Sequence, residues 1–228
     1  MPGRIRHTGG GGSIATARGG ASLAGEPDFI AVTTTSNSSS GAVTFNKPDG
    51  ATAGDILLFS IFSTTMGLHA PPSGIKRLGA YQNASRQSLE IFAGVLGGSE
   101  GATFSFPVMS AGTRLSVCAA YRPRKGLEQY LDQMVEPILE QGGSSGITFG
   151  TPTFTPRRNS KLIFIATAAG GTAAILSPPA GSTKRAEMTT AAGKLYFFDA
   201  PASKNTPISK SGTWSVAHDN RMTAALLL

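Results

Sequence analysis

The chain reads as a series of short apolar runs broken by Gly, Pro, Ser and Asn, the pattern of strands joined by tight turns. Ala31-Val32-Thr33-Thr34-Thr35 and Ala42-Val43-Thr44-Phe45 flank a Ser/Asn turn over 36–41, which predicts a hairpin or a bent edge strand. Ile56 to Phe62 reads Ile-Leu-Leu-Phe-Ser-Ile-Phe, apolar on both alternating faces apart from Ser60. Such a strand needs cover on both sides. In a two-layer sandwich the core covers one face, and a loop, a helix or a neighbouring subunit must cover the other. Leu162-Ile163-Phe164-Ile165 makes the same demand.

An internal duplication emerges when positions about 107 apart are set side by side. Gly54-Asp55-Ile56-Leu57-Leu58-Phe59 is matched with Ser160-Lys161-Leu162-Ile163-Phe164-Ile165. Pro71-Pro72-Ser73-Gly74, followed by Lys76-Arg77, matches Pro178-Pro179-Ala180-Gly181, followed by Lys184-Arg185. Leu89-Glu90-Ile91-Phe92 matches Leu195-Tyr196-Phe197-Phe198, and Arg114 to Ala119 matches Arg221 to Leu226. Collinear blocks of like character predict two copies of one strand–loop–strand plan. Between them, Leu127 to Gln141 carries apolar residues at helical spacing with Glu128, Asp132, Glu136 and Glu140 on another face. A short helix or an irregular crossover fits equally, because Pro137 ends a helix. The predicted fold is all-β: a jelly-roll-like two-sheet β-sandwich built from two pseudo-repeats, 28–123 and 147–228, joined by a crossover over 124–146.

Residues 1–27 form a Gly-, Ala- and Ser-rich extended N-terminal arm with too few large apolar side chains for a core of its own. Order there requires contact with a domain or a neighbour, and a Gly-rich arm can run through narrow grooves between subunits. Arg4, Ile5, Arg6, Ile14 and Arg18 are its candidate assembly contacts.

The blocks Gly54 to Leu58, Pro71-Pro72-Ser73-Gly74, Leu89 to Ala93, Ala119-Ala120-Tyr121-Arg122 and Pro178-Pro179-Ala180-Gly181 resemble a family of tailed-phage and prophage virion proteins. Its members repeat a "GDLLL…PPAGW…AVYYK…AYRG" plan in a β-sandwich. The similarity runs from about Ala51 to the C-terminus. Here Ile75 and Ser182 stand where the family carries a bulky aromatic, and Pro123 follows Arg122 where it carries Gly. The resemblance implies residence in a virion, made in the host cytoplasm, with other virion proteins (a major capsid protein or tail proteins) and copies of the same chain as partners. It carries no catalytic or ligand set.

Composition adds limits. The 228 residues, 40% hydrophobic and 14% charged, suffice for a sizeable core. The formal charge of +7 raises nucleic acid as a partner, but the cations are scattered and few aromatics lie beside them, so no direct nucleic-acid role is expected. No apolar run approaches bilayer length, so no membrane role is expected either. Cys118, the single cysteine, lies in an apolar run and reads as a small buried hydrophobe.

Chemistry-bearing patterns are sparse. His7, His69 and His218 are far apart without metal-ligand spacing, and no nucleophile elbow or P-loop is present. His218-Asp219 reads as a polar loop, and Glu128 with Asp132 as a solvated face. Arg114 and Arg221 read as rim residues or as partners for Glu90 and Asp199. No catalytic residue, metal or cofactor is assigned, and the chain is read as non-enzymatic. The expected role is capsid decoration or cement, binding a symmetric lattice through the arm and a sheet face, with a tail, neck or fibre component as the alternative. An alternative of another class is a carbohydrate-binding module that reads host-surface glycan through the loops around Pro71 to Lys76 and Pro178 to Lys184, whereas Trp214, which with Tyr81, Tyr121 and Tyr196 offers a sugar-stacking platform, reads first as a core anchor or an interface hot spot. Pro71, Pro72, Lys76, Arg77, Pro178, Pro179, Lys184 and Arg185 are candidate docking-loop residues.

Overall fold

The computed structural model describes residues 25–38, 41–65, 67–82, 87–107, 112–124, 138–142, 148–170, 175–215 and 221–228. They form fifteen strands. One five-stranded sheet runs in the order β1 (Asp28–Asn37), β7 (Arg114–Arg122), β3 (Ile56–Ser63), β5 (Ser88–Val95), β4 (Ile75–Gln82). The other runs β8 (Ile138–Gly142), β15 (Arg221–Leu227), β10 (Ser160–Ala169), β13 (Gly193–Ala202), β12 (Thr183–Thr190). Two small sheets complete the fold. β2 (Val43–Asn46) pairs with β6 (Thr103–Phe106), and β14 (Ser211–Trp214) lies between β11 (Ile175–Ser177) and β9 (Thr148–Gly150).

Alternation of side chains across each strand sorts the core into three apolar layers. Ile56, Leu58, Leu89, Ile91, Leu115 and Val117 of the first large sheet meet Ile163, Ile165, Leu195, Phe197, Met222 and Leu226 of the second. On the far side of the first sheet, Leu57, Phe59, Ile61 and Phe92 lie under Val43, Phe45, Phe104 and Phe106 of the β2–β6 pair. On the far side of the second, Leu162, Phe164, Tyr196 and Phe198 lie under Phe149 and Trp214. The molecule is thus an all-β sandwich of two large sheets with a small sheet closing each outer face.

Both outer faces are closed by the chain's own strands, which corrects the expectation that a like subunit covers a second apolar face. Val43, Phe45 and Phe106 are at most 1% exposed. At roughly 1.5–3 kcal/mol per buried side chain, local closure strongly outcompetes leaving that surface for a neighbour. Among the described residues Val95, at 42% exposure, is the single exposed large hydrophobic.

The two units repeat one plan. β1, β7, β3, β5 and β4 answer β8, β15, β10, β13 and β12 in identical order, and β2 and β6 answer β9 and β14. Leu58 sits between Ala93 and Ala119, and Ile163 sits between Asp199 and Leu226. With these registers, Leu57 and Phe59 answer Leu162 and Phe164. The match read from sequence for this strand, Gly54 to Phe59 against Ser160 to Ile165, is out by one residue. A one-residue slip would exchange inner and outer faces, and the layers forbid that exchange.

The Pro-Pro turns are superimposable in design. Ile75 N–H donates to Pro72 O at 3.1 Å and Ser182 N–H to Pro179 O at 3.1 Å. Gly74 at φ 80° and Gly181 at φ 68° occupy the left-handed third position that makes each a type II turn. Each turn leads into a β-bulge, between Arg77 and Gly79 in β4 and between Lys184 and Ala186 in β12. Lys184 therefore answers Arg77, and Arg185 answers Leu78, one place away from the pairing of Lys76-Arg77 with Lys184-Arg185. β1, another edge strand, is also bulged, between Phe29 and Ala31. Bulges twist an edge away from foreign strands.

Other expectations change. β1 and β2 are not a hairpin: β1 pairs with β7 and β2 with β6, so the intervening turn carries the chain from a large sheet to a small one. Asn37 Nδ2 braces that turn by donating to Gly41 O and Ala42 O at 3.3 and 3.2 Å. The helix-like spacing over 127–141 ends in strand β8, which pairs with β15 where β1 pairs with β7 in the other unit. Pro137 cannot sit inside a helix, and the edge of β15 takes the strand that follows it. The remainder of the helical pattern, with Glu128 and Asp132, lies outside the described residues, as do arm residues Arg4, Ile5, Arg6, Ile14 and Arg18.

Candidate functional site

Equivalent places on the outer faces of the two large sheets are filled differently. In the first unit Glu90, on β5, is completely buried. A buried carboxylate must be paired, and the segment ahead of the first Pro-Pro turn supplies the partner. His69 N–H donates to both Glu90 oxygens at 3.2 and 3.1 Å, and His69 Nδ1 lies 2.5 Å from Glu90 Oε2. Arg77 Nε stands 3.2 Å from Glu90 Oε1, and its terminal nitrogen donates to His69 O. Its guanidinium also lies 5.5 Å from the centre of the Phe92 ring. The cluster locks residues 67–72 onto β5. His69 Nε2 is buried without a hydrogen-bond partner among the described residues.

In the second unit Tyr196 stands at the place of Glu90 and Lys184 at that of Arg77. A cleft of about 170 Å³ opens there, lined by Ile175, Pro178, Lys184, Glu187, Tyr196 and Phe198. Its wall is aromatic, with the Tyr196 and Phe198 rings 6.2 Å apart and nearly parallel at 10°. Ile175 N–H donates to Tyr196 Oη at 3.4 Å. Burial pushes the Tyr196 phenol above its ordinary value. At the rim Lys184 Nζ pairs with Glu187 Oε2.

Three further polar contacts fix the frame around these places. Between the large sheets, Tyr121 Oη donates to Asp199 Oδ2 at 3.2 Å and Arg185 Nε lies 2.9 Å from the same oxygen. The Arg185 guanidinium stacks 4.1 Å from the Phe29 ring centre. Burial raises the Tyr121 phenol well above its ordinary value, and the Asp199 charge adds to it. At the start of β3, Arg122 donates to Asp55 from Nε and a terminal nitrogen, both at 2.9 Å. Burial works to raise the Asp55 carboxyl, but the Arg122 and Thr52 hydrogen bonds outweigh it and hold it below its ordinary value. Ahead of β1, Lys161 Nζ donates to Glu26 Oε1 at 2.9 Å with both side chains buried, which ties Glu26 to β10.

The candidate docking residues divide. Arg77 and Arg185 turn inward, to Glu90 and Asp199, and serve the frame. Lys76 is exposed, whereas Lys184 is exposed but engaged by Glu187. Pro71 and Pro72 are half-buried, Pro178 is exposed and Pro179 is buried. Glu90 is held by His69 and Arg77 and Asp199 by Tyr121 and Arg185, while the Arg221 side chain, read from sequence as a partner, lies outside the described residues. Trp214 is a core anchor, fully buried against Phe149 and Tyr196, and with Tyr121 also buried the sugar-stacking platform is not formed. Cys118 is buried, and burial raises its thiol well above the ordinary value. His218 and Asp219 lie outside the described residues, and among those described no group of three metal-ligating side chains is present. The His69–Glu90–Arg77 cluster and the Tyr196 cleft escape sequence reasoning. The available signal was the Glu90/Tyr196 difference at matched positions of the duplicated block.

No family model, no curated protein and no solved structure matches the chain.

Proposed function

We propose that the chain is a structural protein of a virus particle that decorates a symmetric capsid lattice, held there by its N-terminal arm and the loop ends of the body. Its partners are other virion proteins and copies of itself. The observation that carries the reading is the contrast between a body closed by its own strands and a leader whose sequence is basic and poor in large apolar side chains. Both outer sheet faces are sealed by the chain's own small sheets, and three edge strands carry bulges. A body of that kind offers little for strand addition or face stacking. The leader is the opposite: residues 1–24 hold Arg4, Arg6 and Arg18 without one carboxylate, and they precede the buried Glu26–Lys161 anchor. A basic, Gly-rich sequence next to a buried anchor suits an acidic groove between capsid subunits. The Gly54-Asp55-Ile56-Leu57-Leu58 block and the repeated Pro-Pro-x-Gly blocks, which resemble those of tailed-phage virion proteins, point the same way.

The sheet face has no docking role in this reading. The test is deletion of residues 1–24, which keeps Glu26. The truncated chain should retain its far-ultraviolet spectrum and thermal midpoint and lose its place on purified particles. Wild-type occupancy of the truncated chain would defeat the proposal.

A further inference from the structure

We infer that the cleft beside Tyr196 binds a single neutral sugar ring, so that the second unit carries a saccharide subsite the first lacks. The duplication supplies an internal control. Where the first unit packs Glu90, His69 and Arg77 into a closed ion cluster, the second has Tyr196 and Lys184, and β11 pairs with β14. Lys184 turns to Glu187 instead of filling the space. What is left is a cleft of about 170 Å³. A cavity of about 150 Å³ accommodates a benzene molecule, so the space suits one six-membered ring and little more.

The lining selects the chemistry of that ring. Ile175, Pro178 and Phe198 give it an apolar wall, and Tyr196 adds an aromatic body with a polar tip. The rim is an ion pair, Lys184 with Glu187. A purely apolar ring would strip water from both charges and return nothing. An anionic ring would gain Lys184 and meet Glu187. A pyranose carries C–H faces for the wall and neighbouring hydroxyls that accept from an ammonium and donate to a carboxylate at once. Neutral rim charge and mixed donor–acceptor demand therefore point to an uncharged sugar.

The test is ligand-observed saturation-transfer NMR on the full-length chain. The probes are methyl α-D-glucopyranoside, methyl α-D-galactopyranoside, methyl N-acetyl-β-D-glucosaminide, glucuronate and p-cresol. At least one neutral pyranoside should saturate with Kd on the order of 1 mM, ahead of glucuronate and p-cresol. Lys184→Met and Glu187→Gln, both at exposed positions, should each weaken it at least about fivefold without moving the thermal midpoint, while Lys76→Met leaves it unchanged. The inference is overturned if no neutral pyranoside saturates, if p-cresol or glucuronate binds more tightly than all of them, or if binding is unaltered in both rim variants. It stands independently of where the protein sits in a particle.

Discussion

The two units share a strand order, a type II turn and a bulge, yet they stabilise the same place by opposite means. The first unit buries a carboxylate and satisfies it with His69 and Arg77. The second buries aromatic rings, Tyr196, Phe198 and Trp214, and leaves a cleft. The shared features are those that hold strands in register. The features that differ are side chains on the outward face, where one unit can change without disturbing the other. A duplicated scaffold can thus keep one copy sealed as frame while the other is free to acquire a surface.

The largest effects should come from the outer aromatic anchors. Phe106 and Trp214, the last residues of β6 and β14, are fully buried. Phe106→Ala and Trp214→Ala should each cost about 3–5 kcal/mol in denaturant titration. Because the central core is built from both large sheets, either loss should lower a single cooperative transition. Two separated transitions would break the shared-core description.

The polar cluster should distinguish the units next. Glu90→Gln leaves Arg77 without its counter-charge and should cost about 2–3 kcal/mol. At the matched place Tyr196→Phe removes the long hydrogen bond from the Ile175 amide and the one to the Glu187 carboxylate at the rim, and should cost about 1 kcal/mol. Equal losses at the two positions would contradict the difference drawn here.

A pH effect separates them further. Asp55 belongs to the first unit, and Ser160 stands at its place in the second. The Asp55 carboxyl is held below its ordinary value, so its contribution is present above the unfolded value near about 3.9 and is lost as pH falls through the lower folded value. Asp55→Asn should therefore cost about 1–2 kcal/mol at pH 7 and flatten the fall in stability below pH of about 4. An unchanged acid limb would remove Asp55 from the account.

The smallest effect tests likeness and not difference. A Cβ at Gly74 meets nothing within 4 Å, and one at Gly181 meets only Lys210 Nζ at 3.4 Å. The cost of alanine at either place is therefore the left-handed backbone alone, about 1 kcal/mol. Gly74→Ala and Gly181→Ala should match within experimental error in thermal melts.

Much of this plan was legible in the residues. The doubly apolar runs Ile56 to Phe62 and Leu162 to Ile165 announced strands covered on both faces, and the Pro-Pro-x-Gly blocks announced turns that are the same in the structure. What covers those strands was not legible. Val43-Thr44-Phe45 and Thr103 to Phe106 are too short to advertise a sheet, yet their alternate residues seal a whole face. The phase of the β3 match was lost for a related reason. A strand apolar on both faces has no period-two signal to say which side is which. Glu90 reads in sequence as a candidate partner for Arg114, and the partners the structure shows come from a loop and a neighbouring strand that no spacing rule connects. The Tyr196 cleft is visible only when the first unit shows what the space normally holds.

Sedimentation velocity on residues 25–228 tests the central claim most directly, because a body that closes its own faces needs no like subunit. The account predicts one folded monomeric species across the accessible concentration range. A stable dimer or larger assembly formed by that truncated body would contradict it.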